Sequence, residues 1–160
     1  MCGLAGFFER AHGTSSEQYR SIAELMSAAI RHRGPDDDAV WCDAEVGIAL
    51  GHRRLSIIDL SAHGRQPMTS ESGRYVIAYN GEVYNFPALR NELEPLGHAF
   101  RGHSDTEVIL AAIEEWGLET TLGRLIGMFA FALWDRTTRQ LQLVRDRLGI
   151  KPLYYGWTGQ

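Results

Sequence analysis

Hydrophobic residues recur along the chain at two spacings, and these spacings lay out its elements. Residues 4–8 form an apolar run of a length that reads as a short buried strand. Thr14-Ser15-Ser16-Glu17 has the form of a capping box, in which a hydroxyl and a carboxylate satisfy the first unbonded N–H groups of a helix. Beyond it Tyr19, Ile22, Met26, Ala29 and Ile30 share one helical face, and Gly34-Pro35 ends the helix. Strands are predicted over 39–42 and 46–51, and 54–59 reads as strand passing into loop. Residues 61–72 are polar and rich in turn formers. A strand over 75–79 runs into Asn80-Gly81-Glu82. Asn85 then caps a helix predicted to reach Leu96 and stop at Gly97, since glycine takes the left-handed conformation that ends helices. Ser104-Asp105-Thr106-Glu107 is a second capping box, opening a helix to about Trp116, and a shorter helical stretch covers 118–125. Residues 128–135 and 140–145 alternate about the polar turn Arg136-Thr137-Thr138-Arg139, the pattern of a β-hairpin. A last strand is predicted over 153–157.

Strands do not alternate regularly with helices, and a hairpin lies near the end. Both features favour mainly antiparallel sheets in an α+β arrangement. The final predicted strand enters a turn with no returning strand, so it is expected to be an edge or to continue in a longer protein. There are no internal repeats.

Composition narrows the function classes. The chain has 160 residues, 44% hydrophobic and 22% charged, which is enough for one domain with a real core. A net charge of −4 without any Lys/Arg-rich run argues against a nucleic-acid binder. Two cysteines are too few for a disulfide framework and suit a reducing cytoplasm, and the six histidines show no metal-ligand spacing with them. Glu9 and Arg10 interrupt the first apolar stretch too early for a signal peptide, and no apolar run has the ~20 residues of a membrane span.

Candidate chemistry begins at Cys2. Removal of Met1 would leave this residue with a free α-amine beside its own thiol, a base and a nucleophile on one residue. Taken alone, Cys2 reads rather as a small apolar residue opening a strand, and the rest of the chain reverses that preference. Asn80-Gly81 matches a type I′ hairpin turn, but too few residues separate it from the Asn85 cap. The other reading makes the Asn80 amide and the Gly81 N–H two donors to one oxygen, with glycine allowing close approach. Arg54 is a solvated strand-end charge or a bidentate clamp for a carboxylate. Asp105 and Glu82 are a helix-terminal carboxylate and a surface acid, or the anionic partners of an ammonium group. Together they describe a pocket for an amino acid beside an acyl-transfer nucleophile. The charged stretch 31–37 is a turn or an ordered border to that pocket, and Cys42 is read as structural.

These residues resemble a known family, the glutaminase domain of class II glutamine amidotransferases, in its asparagine synthetase branch. The matching segments are Met1-Cys2-Gly3 with Gly6, Arg31-His32-Arg33-Gly34-Pro35-Asp36, the run 51–59, Gln66-Pro67-Met68, Tyr79-Asn80-Gly81-Glu82-Val83-Tyr84-Asn85, the run 104–109, the run 127–132 and the run 145–154. They cover nearly the whole chain in order. The resemblance implies an N-terminal-nucleophile hydrolase fold, an αββα sandwich with two mainly antiparallel sheets, here truncated at its C-terminal end. It implies that residues 2–160 form the glutaminase domain. Cys2, Asn80 and Gly81 would be catalytic. Arg54, Leu55, Ser56, Ile57, Ile58, Glu82 and Asp105 would bind glutamine, with Arg54 on the α-carboxylate and Asp105, assisted by Glu82, on the α-ammonium.

Family enzymes of this branch also carry an ATP-dependent synthetase domain with a Ser-Gly-Gly-x-Asp-Ser loop, which this chain lacks. No cofactor is therefore expected in the chain. ATP and Mg2+ belong to that further domain or to a separate synthetase subunit, which is the expected partner beside glutamine. The ammonia acceptor and homodimerisation are left open. Two rival readings stand beside this one: a non-catalytic glutamine-binding regulatory module, and an N-terminal-nucleophile amidase acting on another amide.

Overall fold

The computed structural model describes residues 2–9, 15–55 and 61–158. Among these residues, seven strands and four α-helices run in the order β1 (Gly3–Phe8), α1 (Ser16–Ala29), β2 (Asp37–Asp43), β3 (Ile48–Arg54), β4 (Met68–Thr69), β5 (Tyr75–Val83), α2 (Phe86–Leu93), α3 (Asp105–Trp116), α4 (Leu118–Arg124), β6 (Gly127–Asp135) and β7 (Gln140–Arg145). Short 3-10 turns follow α1 at Arg31–Arg33, precede β4 at Ala62–Gly64 and extend α2 at Glu94–Leu96.

The strands form two antiparallel sheets, one ordered β1-β3-β2 and the other β4-β5-β6-β7. Strand alternation sorts the side chains into layers. Ile48 and Leu50 of β3 meet Val76 and Ala78 of β5 and Ala132 and Trp134 of β6 between the sheets. The opposite face of the larger sheet carries Ile77, Tyr79, Phe131 and Leu133, which pack against Leu89 and Leu93 of α2 and Ile109 and Ile113 of α3. On the outer face of the smaller sheet, Ala49 packs against Tyr19 and Ala23 of α1. The layers are therefore helix, sheet, sheet, helices: the αββα sandwich expected from the resemblance. No helix among the described residues is long and apolar enough to cross a membrane.

Several local expectations are corrected. β1 is half exposed along much of its length, because it is an edge strand of its sheet. The buried stripe of α1 is Tyr19, Ala23 and Ser27, and Ile22 is exposed. Its capping box lies one residue later than the spacing indicated, with Ser15 paired to Gln18. Ser104 accepts from the Glu107 N–H, but the Glu107 carboxylate turns away to accept from the N–H groups of Arg101 and Gly102. Asn85 occupies the cap position of α2 without capping it. Its side chain instead donates to Arg124 O and accepts from Ile126 N, pinning the start of α2 to the approach of β6. α2 ends at Leu93, and the continuation to Leu96 is a 3-10 turn closed by Gly97 at φ 100°. Residues 152–158 are not a strand: no strand among the described residues pairs with them, and Tyr154, Tyr155 and Trp157 are exposed.

Candidate active site

The site begins where a sheet ladder stops. β4 is two residues long and pairs only with Ile77 and Val76 of β5, whereas β6 pairs with β5 over its full length, 75–83. Among the described residues, the edge of β5 from Tyr79 to Val83 therefore has no strand beside it on the β4 side. Backbone groups of successive residues in an antiparallel strand point alternately to its two neighbours. Tyr79 N donates to Gln66 Oε1 at 2.7 Å, and Val83 N donates to Asp105 Oδ2 at 3.0 Å, so both face away from β6. Gly81, midway between them, presents its N–H to the same open edge.

A cavity of about 120 Å3 lies against this edge. Cys2, Arg54, Leu55, Asn80, Gly81, Glu82 and Asp105 all line it, so seven of the residues singled out from the sequence are brought together. Ser56, Ile57 and Ile58 lie outside the described residues. Cys2 precedes β1, opposite the end of β3, and its Sγ accepts from Leu55 N at 3.4 Å. Asn80 sits on the inter-sheet face by alternation with Val76 and Ala78, and is 5% exposed. The Arg54 guanidinium enters from the end of β3, with Nη1 donating to Ser61 O at 2.8 Å. Asp105 is the first residue of α3, where the helix dipole favours a negative charge.

Asn80-Gly81 is not a hairpin turn. Both residues are in β5, opposite Ala130 and Phe129. The reason for glycine also differs from the expected one. A Cβ on Gly81 would lie 2.5 Å from Met128 O and 2.7 Å from Phe129 Cα, so glycine is required by the close approach of β6.

The electrostatics follow from burial. Burial raises the Asp105 carboxyl above the ordinary aspartate value, and hydrogen bonds from the Tyr79 hydroxyl and from the N–H groups of Val83, Thr106 and Asp105 itself pull it back. Burial also pushes the Tyr79 phenol well up, as does the neighbouring Asp105 charge. The stretch 31–36 borders this region without lining the cavity: Asp36 N donates to Arg54 O at 3.1 Å. Cys42 packs half-buried beside the α1 cluster, consistent with a structural residue. Among the described residues no group of three or more His, Cys, Asp or Glu side chains is placed to hold a metal.

Tyr79, Gln66, Thr106, Met128 and Lys151 also line the cavity but were not picked out as site residues from the sequence. For Tyr79 the signal was present in strand parity. A strand continued through Asn80-Gly81 puts residues 79 and 83 on one face and 80 and 82 on the other. Lys151 is brought in by the turn after β7, where Asp146 accepts from the N–H groups of Leu148, Ile150 and Lys151.

Known proteins resemble the chain in sequence and in fold. The chain is 43% identical to asparagine synthetase [glutamine-hydrolyzing] 1 of Bacillus subtilis over 155 residues, which is 97% of this chain and 24% of that protein. It is 43% identical over 157 residues to asparagine synthetase B [glutamine-hydrolyzing] of Escherichia coli, covering 98% of this chain and 27% of that protein. The chain thus spans about a quarter of the length of these relatives. In fold it is similar to the glutamine phosphoribosylpyrophosphate amidotransferase of B. subtilis, with a TM-score of 0.63 at 21% identity over 82% of this chain and 35% of that one. The model of the glutamine amidotransferase domain matches residues 1–160, and the chain belongs to that family.

Proposed function

We propose that this chain hydrolyses glutamine to glutamate and ammonia with Cys2 as nucleophile. The observation that carries the reading is the single cavity that joins Cys2, the open β5 edge at Asn80 and Gly81, the Arg54 guanidinium and the Asp105 carboxylate. In that cavity Arg54 binds the α-carboxylate of glutamine, and Asp105 with Glu82 binds the α-ammonium. The side-chain amide then lies between Cys2 and β5, lined by Leu55 and, as the resemblance implies, Ser56, Ile57 and Ile58.

Once Met1 is removed, the α-amine of Cys2 takes the thiol proton through a water. The Sγ attacks the amide carbon, and the carbonyl oxygen becomes an oxyanion. Asn80 Nδ2 and Gly81 N–H donate to it, and one such donor is worth about 2.7–4 kcal/mol of transition-state stabilisation. Collapse breaks the C–N bond, and the protonated amine supplies the proton with which ammonia leaves. Water then cleaves the γ-glutamyl thioester, forming glutamate and restoring the thiol.

The ammonia is passed to an ATP- and Mg2+-dependent synthetase domain or subunit for amidation of a carboxylate such as that of aspartate, in asparagine biosynthesis in the cytoplasm. Residues 2–160 act as its glutaminase domain. The similarity to glutamine-hydrolysing asparagine synthetases supports this assignment.

The test is ammonia release from glutamine by the unaltered chain and by Cys2→Ala, with the intact mass of each. Turnover by a chain lacking Met1, abolished in Cys2→Ala while glutamine still binds, is expected. Full activity in Cys2→Ala refutes the mechanism. Glutamine binding without turnover by a chain whose Cys2 is free favours a regulatory binding module.

A further inference from the structure

Tyr79 is tied down in three directions at the open edge of β5. Its N–H donates to Gln66 Oε1 at 2.7 Å, and its carbonyl accepts from His52 Nε2 at 2.9 Å. Its hydroxyl donates to Asp105 Oδ2 at 2.7 Å. Gln66 is itself held by donation to Thr106 Oγ1 at 3.1 Å, on the first turn of α3. The small sheet, the segment before β4 and the start of α3 therefore all meet on one tyrosine. That tyrosine is 2% exposed and adjoins Asn80.

The hydroxyl matters because of where it ends. It and the Val83 N–H converge on the same oxygen of Asp105, which fixes the rotation of a carboxylate that is 5% exposed. A buried carboxylate oriented in this way presents one fixed direction to a cation in the cavity. A carboxylate held by the backbone alone has more rotational freedom and is harder to keep ionised.

We infer that Tyr79 is a positioning residue for the substrate's α-ammonium group, acting through Asp105. The inference rests on the glutaminase reading of the same cavity. It assigns to Tyr79 a selection for amides that carry an α-amino head group. Because Asn80 and Gly81 follow directly on the anchored main chain, the ammonium site and the oxyanion donors are built on one rigid strand, which sets the distance between the two ends of the substrate.

The charged and titratable groups facing Asp105 across the cavity are Tyr79 and Glu82 of β5, Cys2 before β1, Arg54 at the end of β3 and Lys151 after β7. Of the hydrogen bonds that pull the Asp105 carboxyl down against burial, that from Tyr79 contributes most. Its loss moves the carboxyl further up, so less of it is ionised at a given pH and ammonium binding weakens as pH falls.

The experiment compares the full chain with Tyr79→Phe, using glutamine and its analogue lacking the α-amine, from pH 6 to pH 8.5. For glutamine, KM in Tyr79→Phe is expected to rise about tenfold, the lower end for a charge-assisted hydrogen bond, because Val83 N–H remains. The rise should steepen toward low pH while kcat stays near that of the unaltered chain. For the analogue, the two proteins should have the same KM.

An unchanged KM for glutamine at every pH overturns the inference. So does an equal rise with both substrates, or a loss confined to kcat. If Tyr79→Phe does not fold, 3-fluorotyrosine at position 79, a stronger donor, should move the pH at which KM rises downward. An unmoved profile overturns the inference equally. Absence of glutamine turnover by the unaltered chain is the separate failure that removes the glutaminase reading itself.

Discussion

His52 makes the stability of this fold depend on pH in a way that can be calculated. It lies on β3 with its ring between the sheets and is fully buried. Nε2 is 2.9 Å from Tyr79 O, and a carbonyl only accepts, so Nε2 carries the hydrogen. Nδ1 is then a buried lone pair without a hydrogen-bond partner among the described residues. Protonation would place a second N–H there with no acceptor, in the field of Arg54. Burial, and after the opposing Tyr79 carbonyl the Arg54 charge, lower the imidazole from 6.5 to about 4.

The sign follows from linkage. The unfolded chain takes up a proton at His52 as pH falls through 6.5, and the folded chain does so only near 4. The contribution is full above 6.5 and is lost as pH falls toward 4. Between pH 7.5 and 4.5 the loss is about 2.5 kcal/mol. His52→Gln keeps an N–H donor for Tyr79 O and cannot titrate, while every other group stays in place. Denaturant unfolding of both proteins at the two pH values should show the unaltered chain losing about 2.5 kcal/mol more than the variant. Parallel losses would show that His52 does not remain neutral in the folded chain, and would refute the reasoning.

Gly81→Ala forces a Cβ against the backbone of β6, so β5 must move away and carry the Gly81 N–H with it. Ammonia release should fall about 100-fold or more, at a stability cost of about 1–3 kcal/mol measured by chemical unfolding. Phe131→Ala empties a fully buried position between β5, β7 and the helices, and should cost about 3–5 kcal/mol in the same assay. Asn85→Ala should cost about 0.5–1.5 kcal/mol, because the partly exposed bonds to Arg124 O and Ile126 N are lost to water. Asn85→Ser, which restores a capping hydroxyl but not that reach, should fail to recover the loss.

What was legible in the sequence had a local cause. The β6–β7 hairpin was read from alternation about a polar turn, and it forms over 127–135 and 140–145. The helix opening at Ser104 was read from its cap, and it opens there. The family resemblance, carried by motifs from Cys2 to Tyr154, gave the sandwich and seven residues that now share one cavity. What was not legible depended on neighbours distant in the chain. Ile22 fits a helical stripe, but the register of α1 against Ala49 selects Ala23 in its place. Asn85 is a good capping residue, yet its amide is taken by two backbone groups near the start of β6. Residues 153–157 have strand composition, but no strand among the described residues is placed beside them.

The site itself combines the two kinds of information. Its residue types were visible, but the feature that organises them is an absence of pairing. Because β4 stops after two residues, β5 has a stretch whose donors the sheet does not use. Gln66 covers the Tyr79 end of that stretch and Asp105 covers the Val83 end, which leaves Gly81 N–H facing the cavity between two anchored neighbours. An unpaired strand edge is ordinarily a liability. Here its middle donor is turned toward the cavity that Cys2 also lines, and its flanking bonds tie Gln66 and Asp105 to the strand. The same anchoring explains why Asn80-Gly81 resembles a turn in sequence and behaves as rigid strand in structure. Glycine is demanded by β6 on one side, and the N–H it exposes on the other is held in place by that contact.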